Sequence, residues 1–158
     1  MRIYLNGKFL KQEEARLSVL DPGFLYGQGL FETMRAYNGK VFRLDSHIQR
    51  LLNSLVLIGI DALLEPASLK EAVKRCLKEN DLKDAYARLT VWQGQNNKVN
   101  VTAIAKPYHF LGKVDYQKGF RAMLSAFRQN EFSPLCRVKS ANYLHLLLAY
   151  QEAKKNNF

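Results

Sequence analysis

Thr33-Met34-Arg35-Ala36-Tyr37-Asn38-Gly39-Lys40-Val41-Phe42 sets two short runs of strand-forming residues on either side of an Asn-Gly pair. Asn and Gly tolerate the positive φ of a type I′ turn, whose twist matches that of paired strands, so the stretch predicts a β-hairpin. The same device stands at the start of the chain, where Ile3-Tyr4-Leu5 and Lys8-Phe9-Leu10 flank Asn6-Gly7. Outward from these hairpins, the period changes from two to that of a helix. One helix is predicted to begin near Ser46, with Gln49 three residues on in capping-box spacing, and to end at Gly59. Ile48, Leu51, Leu52 and Leu55 form its apolar stripe. A second is predicted from Ser68, with Glu71 completing the same box. Its stripe is Leu69, Ala72, Val73, Cys76 and Leu77, which makes Cys76 a small buried apolar residue.

Strands are predicted to return at Tyr86–Gln93 and Val99–Ala105. Residues 107–119 show no period and read as a linker. A strand over Phe120–Phe127, a short extended segment over Pro134–Lys139 and a helix from Ser140 onward complete the chain, with Leu144, Leu147 and Leu148 turned inward. Strands, helices and strands in blocks, rather than in βαβ alternation, predict the α+β class. Residues 1–110 are expected to form a two-layer N-terminal domain with a mainly antiparallel sheet and two helices. Residues 120–158 offer too little surface to close a core alone, so they read as the start of an incomplete second unit.

The composition bounds the function classes. The chain has 158 residues, 24 Lys+Arg and 14 Asp+Glu, for a net charge of +10, and is 47% hydrophobic. That apolar fraction excludes a disordered polyelectrolyte. No apolar run approaches the ~20 residues of a membrane span, so no membrane partner is expected. The opening Met1–Gly7 turns over too early for a secretory signal. Cys76 and Cys136 are too few for a disulfide framework or a thiolate metal site, and His47, His109 and His145 lie too far apart for a local metal motif. A reduced, cytoplasmic, soluble protein is the expectation. The positive charge raises a nucleic-acid surface as an alternative. The basic residues are spread along the chain without a block of five or more, and no RNP, KH or helix-turn-helix pattern occurs, so no nucleic-acid partner is expected. A solvated surface, or an acidic partner half elsewhere, accounts for the charge.

Three features bear on chemistry. Gly23-Phe24-Leu25-Tyr26-Gly27-Gln28-Gly29 matches neither phosphate-loop nor dinucleotide spacing and reads as a turn feeding a strand. Lys139 stands where an extended segment meets a helix. A positive helix end and Arg137, on the same side by alternation, would both lower its pKa, as Schiff-base chemistry requires. A solvent-facing lysine is the competing reading. Arg50 lies off the apolar stripe, nearly opposite Ile48; it reads either as an exposed arginine or as a guanidinium fork fixed on a helix for phosphate.

The run from Asp21-Pro-Gly-Phe-Leu-Tyr26 through Phe31-Glu-Thr33 and Leu44-Asp-Ser-His-Ile-Gln-Arg50-Leu resembles the fingerprint of the class IV, or fold-type IV, pyridoxal-phosphate enzymes. These include branched-chain and D-amino-acid aminotransferases and 4-amino-4-deoxychorismate lyase. Val138-Lys139-Ser-Ala-Asn142-Tyr143-Leu-His-Leu-Leu-Leu-Ala-Tyr-Gln-Glu152 resembles the segment around the lysine that bonds the cofactor. The resemblance implies pyridoxal 5′-phosphate as cofactor, an amino-acid-like small-molecule substrate and a homodimer. It places Lys139 as the cofactor lysine and proton carrier, and Arg50 on the cofactor phosphate. Tyr26, Phe31, Thr33 and Arg88 fall on pocket-lining positions, and residues 120–158 on the beginning of the cofactor-binding domain. D-amino-acid enzymes carry tyrosine where Phe31 stands and an arginine near Gln93. Branched-chain enzymes usually read Phe-Glu-Gly where this chain has Phe31-Glu32-Thr33. Phe-Glu-Thr and Arg88-Leu89-Thr90 point toward the lyase-like members, with an aminotransferase as the alternative. The family's acid on the pyridine nitrogen and the rest of its phosphate cup fall past Phe158, so an inactive fragment of such an enzyme is a further reading of the chain as it stands.

Overall fold

The computed structural model describes residues 1–61, 63–109 and 112–158. A sheet of six strands, in the order β2-β1-β6-β5-β3-β4, is antiparallel throughout. The strands are β1 (Arg2–Leu5), β2 (Lys8–Lys11), β3 (Gly29–Tyr37), β4 (Lys40–Val41), β5 (Ala85–Gln93) and β6 (Val99–Pro107). Both hairpins form where Asn-Gly predicts them. Asn6 and Gly7 have φ of 47° and 89°, and Asn38 and Gly39 have 48° and 76°, the positive pair that a type I′ turn requires.

A single turn of helix, α1 (Pro22–Leu25), leads into β3. Two longer helices, α2 (Leu44–Leu57) and α3 (Pro66–Glu79), cover one face of the sheet. Strand alternation sends Leu30, Met34 and Ala36 of β3, Ala87, Leu89 and Val91 of β5, and Ala103 and Ala105 of β6 to that face. There they meet Ile48, Leu51 and Leu55 of α2 and Leu69, Val73, Cys76 and Leu77 of α3 in a single core. Cys76 is fully buried, and burial pushes its thiol pKa from 9.0 to about 11. The opposite face carries Phe31, Thr33 and Arg35 of β3 beside Arg88 and Thr90 of β5.

Several boundaries differ from the sequence reading. Neither helix opens with a capping box: α2 starts at Leu44 after Arg43 in the left-handed region (φ 49°), and α3 starts at Pro66. Burial of Leu44 extends the first helix upstream, and Pro66, whose fixed φ suits a first helical position, sets the second. Ser46 and Ser68 consequently sit inside the first turns. Within the predicted linker, Lys113–Lys118 forms a short helix, α4. Phe120–Phe127 forms no strand; Ser125 and Ala126 instead donate to the Glu152 carboxylate. A strand depends on a partner for its backbone groups, and the apolar pattern alone does not supply one. Pro134–Arg137 is a 3-10 turn and not extended, opened by Ser133 Oγ accepting from the Leu135 amide. The last helix, α5, runs Leu144–Lys155 and so begins well after Lys139. Among the described residues no helix is long and apolar enough to cross a membrane.

Candidate active site

Strand β4 pairs with β3 only at Ala36 and Tyr37, which leaves the outer edge of β3 open from Gly29 to Thr33. The segment around Lys139 occupies that edge. The Phe31 amide donates to the Lys139 carbonyl at 3.0 Å, and the Ala141 amide donates to the Gly29 carbonyl at 2.8 Å. Leu30 and Ser140 form an antiparallel bridge between them. An extended residue cannot also begin a helix, which is why α5 starts only at Leu144. Lys139 therefore does not sit at a helix end, and Arg137 is not related to it by strand alternation. Both nevertheless line the same cleft.

Backbone pairing sets the lysine against aromatic rings. Lys139 Nζ lies 4.6 Å from the Phe31 ring centre and 5.9 Å from that of Tyr143. Phe31 and Tyr143 meet edge to face at 5.4 Å. The Arg88 guanidinium also stacks on Phe31, 3.6 Å from the ring centre, and donates from Nε to Thr90 Oγ1 at 3.2 Å. Thr33 stands opposite Arg88 in the β3–β5 register. Phe31, Thr33, Arg88 and Lys139 are thus brought together. Tyr26 is not: it is mostly exposed at the end of α1, beside Gly27 and a separate cleft.

Arg50 enters from α2. Its neighbour on the sheet is Glu32, next to Phe31 in β3 but pointing to the helix face, with only 1% of its surface exposed. Arg50 donates to Glu32 through Nε at 2.6 Å and Nη2 at 2.5 Å, and His47 Nδ1 lies 2.8 Å from the same carboxylate. The hydrogen bonds to Glu32 raise the Arg50 pKa further above its ordinary value. A buried carboxylate stripped of such a partner costs about 3–5 kcal/mol, so the pair locks the guanidinium in place. With two of its nitrogens held by Glu32, Arg50 lines the same cleft as Lys139. That cleft, about 520 Å³, is also lined by Arg128, Arg137 and His145, and no Asp or Glu is among its described lining residues. No group of His, Cys, Asp and Glu suited to a metal ion occurs among the described residues.

The sequence reading missed Glu32, His47, Tyr143 and Arg35 as site residues. Glu32 carried a signal, since it alternates with Leu30 and Met34 on the apolar side of a strand, where an acid demands a partner. His47 and Arg50 are three apart on one helix and present that partner together. Arg35 lies on the same sheet face as Phe31, with its guanidinium 3.3 Å over the Tyr108 ring and a buried Nη1 that has no hydrogen-bond partner among the described residues.

The family model described as "Amino-transferase class IV" matches residues 29–158. A putative branched-chain-amino-acid aminotransferase of Methanocaldococcus jannaschii is 40% identical over 97% of this chain and 56% of its own length. An aminodeoxychorismate lyase of Bacillus subtilis is 35% identical over 95% of the chain and 54% of its own. The crystal structure of a branched-chain aminotransferase from Thermoproteus uzoniensis with norvaline superposes with a TM-score of 0.87 at 31% identity, over 99% of this chain and 57% of that one. The chain thus spans a little over half the length of these relatives. With its whole sheet, both packed helices and the lysine segment matched by these proteins, the chain belongs to the class IV aminotransferase family.

Proposed function

We propose that the full protein is a pyridoxal-phosphate-dependent enzyme acting on an amino-acid-like amine. One observation carries this reading: Lys139 is fixed by backbone pairing on the open edge of β3, in a cleft lined by arginines and with no carboxylate among its described lining residues. The donor set fits the cofactor. A primary amine suits an aldehyde, and a guanidinium held by Glu32 suits a phosphate. When bound, the cofactor supplies the electron sink. Arg50 would hold the phosphate, the Phe31 ring would stand beside the lysine, and Lys139 Nζ would bond the cofactor's aldehyde carbon and, once the substrate amine had displaced it from that carbon, move the proton at the substrate α-carbon. Arg88 and Arg35 bring positive charge to the sheet face on which a substrate carboxylate would lie.

Amino transfer and lyase chemistry share these steps and diverge after proton removal. The 40% identity to a putative branched-chain aminotransferase supports amino transfer. Phe31-Glu32-Thr33 and Arg88-Leu89-Thr90 support the lyase-like reading. The full-length protein loaded with cofactor decides between them. Amino transfer from a branched-chain amino acid to a 2-oxo acid without pyruvate release establishes the first; pyruvate released from 4-amino-4-deoxychorismate establishes the second. Neither product with either substrate would overturn the enzyme reading.

A further inference from the structure

We infer that Asn142 is a positioning residue that clamps the Lys139 segment to the glycine turn at Gly27, and so sets where the lysine stands along β3. This rests on the reading of Lys139 as the cofactor lysine for its functional meaning, but the clamp itself is a property of the chain. Asn142 Nδ2 donates to the Gly27 carbonyl at 3.1 Å and to Ser140 Oγ at 3.0 Å, and the Asn142 amide donates to the same hydroxyl at 3.1 Å. One side chain thus ties the turn before β3 to the residue just after Lys139.

The two main-chain hydrogen bonds on either side of Ser140 hold only a three-residue bridge, Lys139 to Ala141. A pairing so short, on the edge of a sheet, opens easily without a further anchor. No residue from Lys139 to Asn142 is buried, and apolar packing holds the segment at its two ends, through Val138 against the core and Tyr143 against Phe31, which leaves a polar anchor to be supplied between them. Asn142 provides it from the C-terminal side. Gly27 is shaped to receive it: its φ is +67°, and a Cβ there would stand 2.2 Å from Asn142 Oδ1. Any side chain at position 27 would displace the asparagine. A slip of the lysine segment by one residue would turn Lys139 away from Phe31, because neighbouring residues of an extended chain point to opposite sides.

The test uses the full-length protein without cofactor, so its outcome is independent of the enzyme reading. Backbone amide hydrogen exchange is measured for wild type, Asn142→Asp, Asn142→Ala and Gly27→Ala. Asn142→Asp keeps the size of the side chain and removes the donor to Gly27. Each variant should exchange the Phe31 and Ala141 amides about ten-fold faster or more, while the Leu89 and Val91 amides of the core stay at wild-type rates. Gly27→Ala combined with Asn142→Ala should exchange no faster at these two amides than the faster of the single variants, since both break one clamp. Unchanged exchange at Phe31 and Ala141 in Asn142→Asp would overturn the proposal. So would equal acceleration at Leu89 and Val91, which would make Asn142 a general stabiliser. If Asn142→Asp fails to fold, the same two amides in Gly27→Ala decide the matter. With cofactor added, loss of positioning predicts a shifted pH titration of the visible band in Asn142→Asp. A wild-type protein that forms no visible band would overturn the enzyme reading alone, because the exchange rates of the cofactor-free protein decide the clamp.

Discussion

Residues 1–109 and 112–158 use apolar residues in opposite ways. The first region buries them: every buried residue of the core lies between Leu30 and Ala105. The second buries none, although Phe120, Leu124, Phe132, Leu144, Leu147 and Tyr150 are all large and exposed. Among the described residues, its backbone joins the sheet at the bridge around Ser140. The first region is thus a scaffold that stands on its own packing, and the second presents a lysine to it through main-chain pairing. The cleft lies where they meet, with Arg50 supplied by the scaffold and Lys139 by the segment laid on its edge.

Removing the same side chain from each region should have very different effects. Leu51→Ala, in the buried stripe of α2, should cost about 2–5 kcal/mol, whereas Leu147→Ala, half exposed on α5, should cost under about 0.5 kcal/mol in the 158-residue chain. Urea unfolding midpoints measure both. Equal losses would mean that α5 packs as tightly as α2.

Next in size is Arg50, proposed to hold the cofactor phosphate. Arg50→Ala should weaken pyridoxal-phosphate binding to the full protein by about 1.5–3 kcal/mol, the scale of a charged hydrogen bond. Titration of the visible band reads this directly. Unchanged affinity would leave Arg50 with no role beyond neutralising Glu32.

The two cysteines, one in each region, differ in the same sense. Cys136 is exposed and should react with a thiol reagent in the folded protein, while Cys76 should react only after unfolding. The folded Cys76 pKa, about 11, lies above its ordinary 9.0, so the folded state binds its proton more tightly. That contribution to stability is complete below pH 9 and is lost as pH rises toward 11, amounting to roughly 3 kcal/mol. Cys76→Ala should flatten the stability curve between pH 9 and 11; an unaltered slope would show that another group titrates there.

Much of the scaffold was legible in the sequence because its signals are local. Asn-Gly fixes both hairpins through two positive φ angles, and the Ile48-Leu51-Leu55 and Leu69-Val73-Cys76 stripes report helices at their own period. Helix starts were misread because a serine-glutamine or serine-glutamate spacing is also compatible with positions inside a first turn. The apolar pattern of Phe120–Phe127 says that the segment seeks cover but not what covers it, and the strand expected there does not form. At the site, resemblance and not periodicity singles out Lys139 and Arg50; periodicity alone favours surface residues. Glu32 and Asn142 act through partners distant in the chain, His47 and Arg50 in one case and Gly27 in the other, and such pairs become visible only when the sheet is assembled.

The proposed role of Lys139 is to bond the cofactor. Borohydride reduction of the full-length protein with pyridoxal phosphate, followed by peptide mapping, tests it most directly. The expected result is a single phosphopyridoxyl label on Lys139, with no visible band and no label in Lys139→Ala or Lys139→Arg, since a guanidinium stays protonated and cannot act as the nucleophile. A label on another lysine, or a visible band that survives in Lys139→Ala, would contradict it.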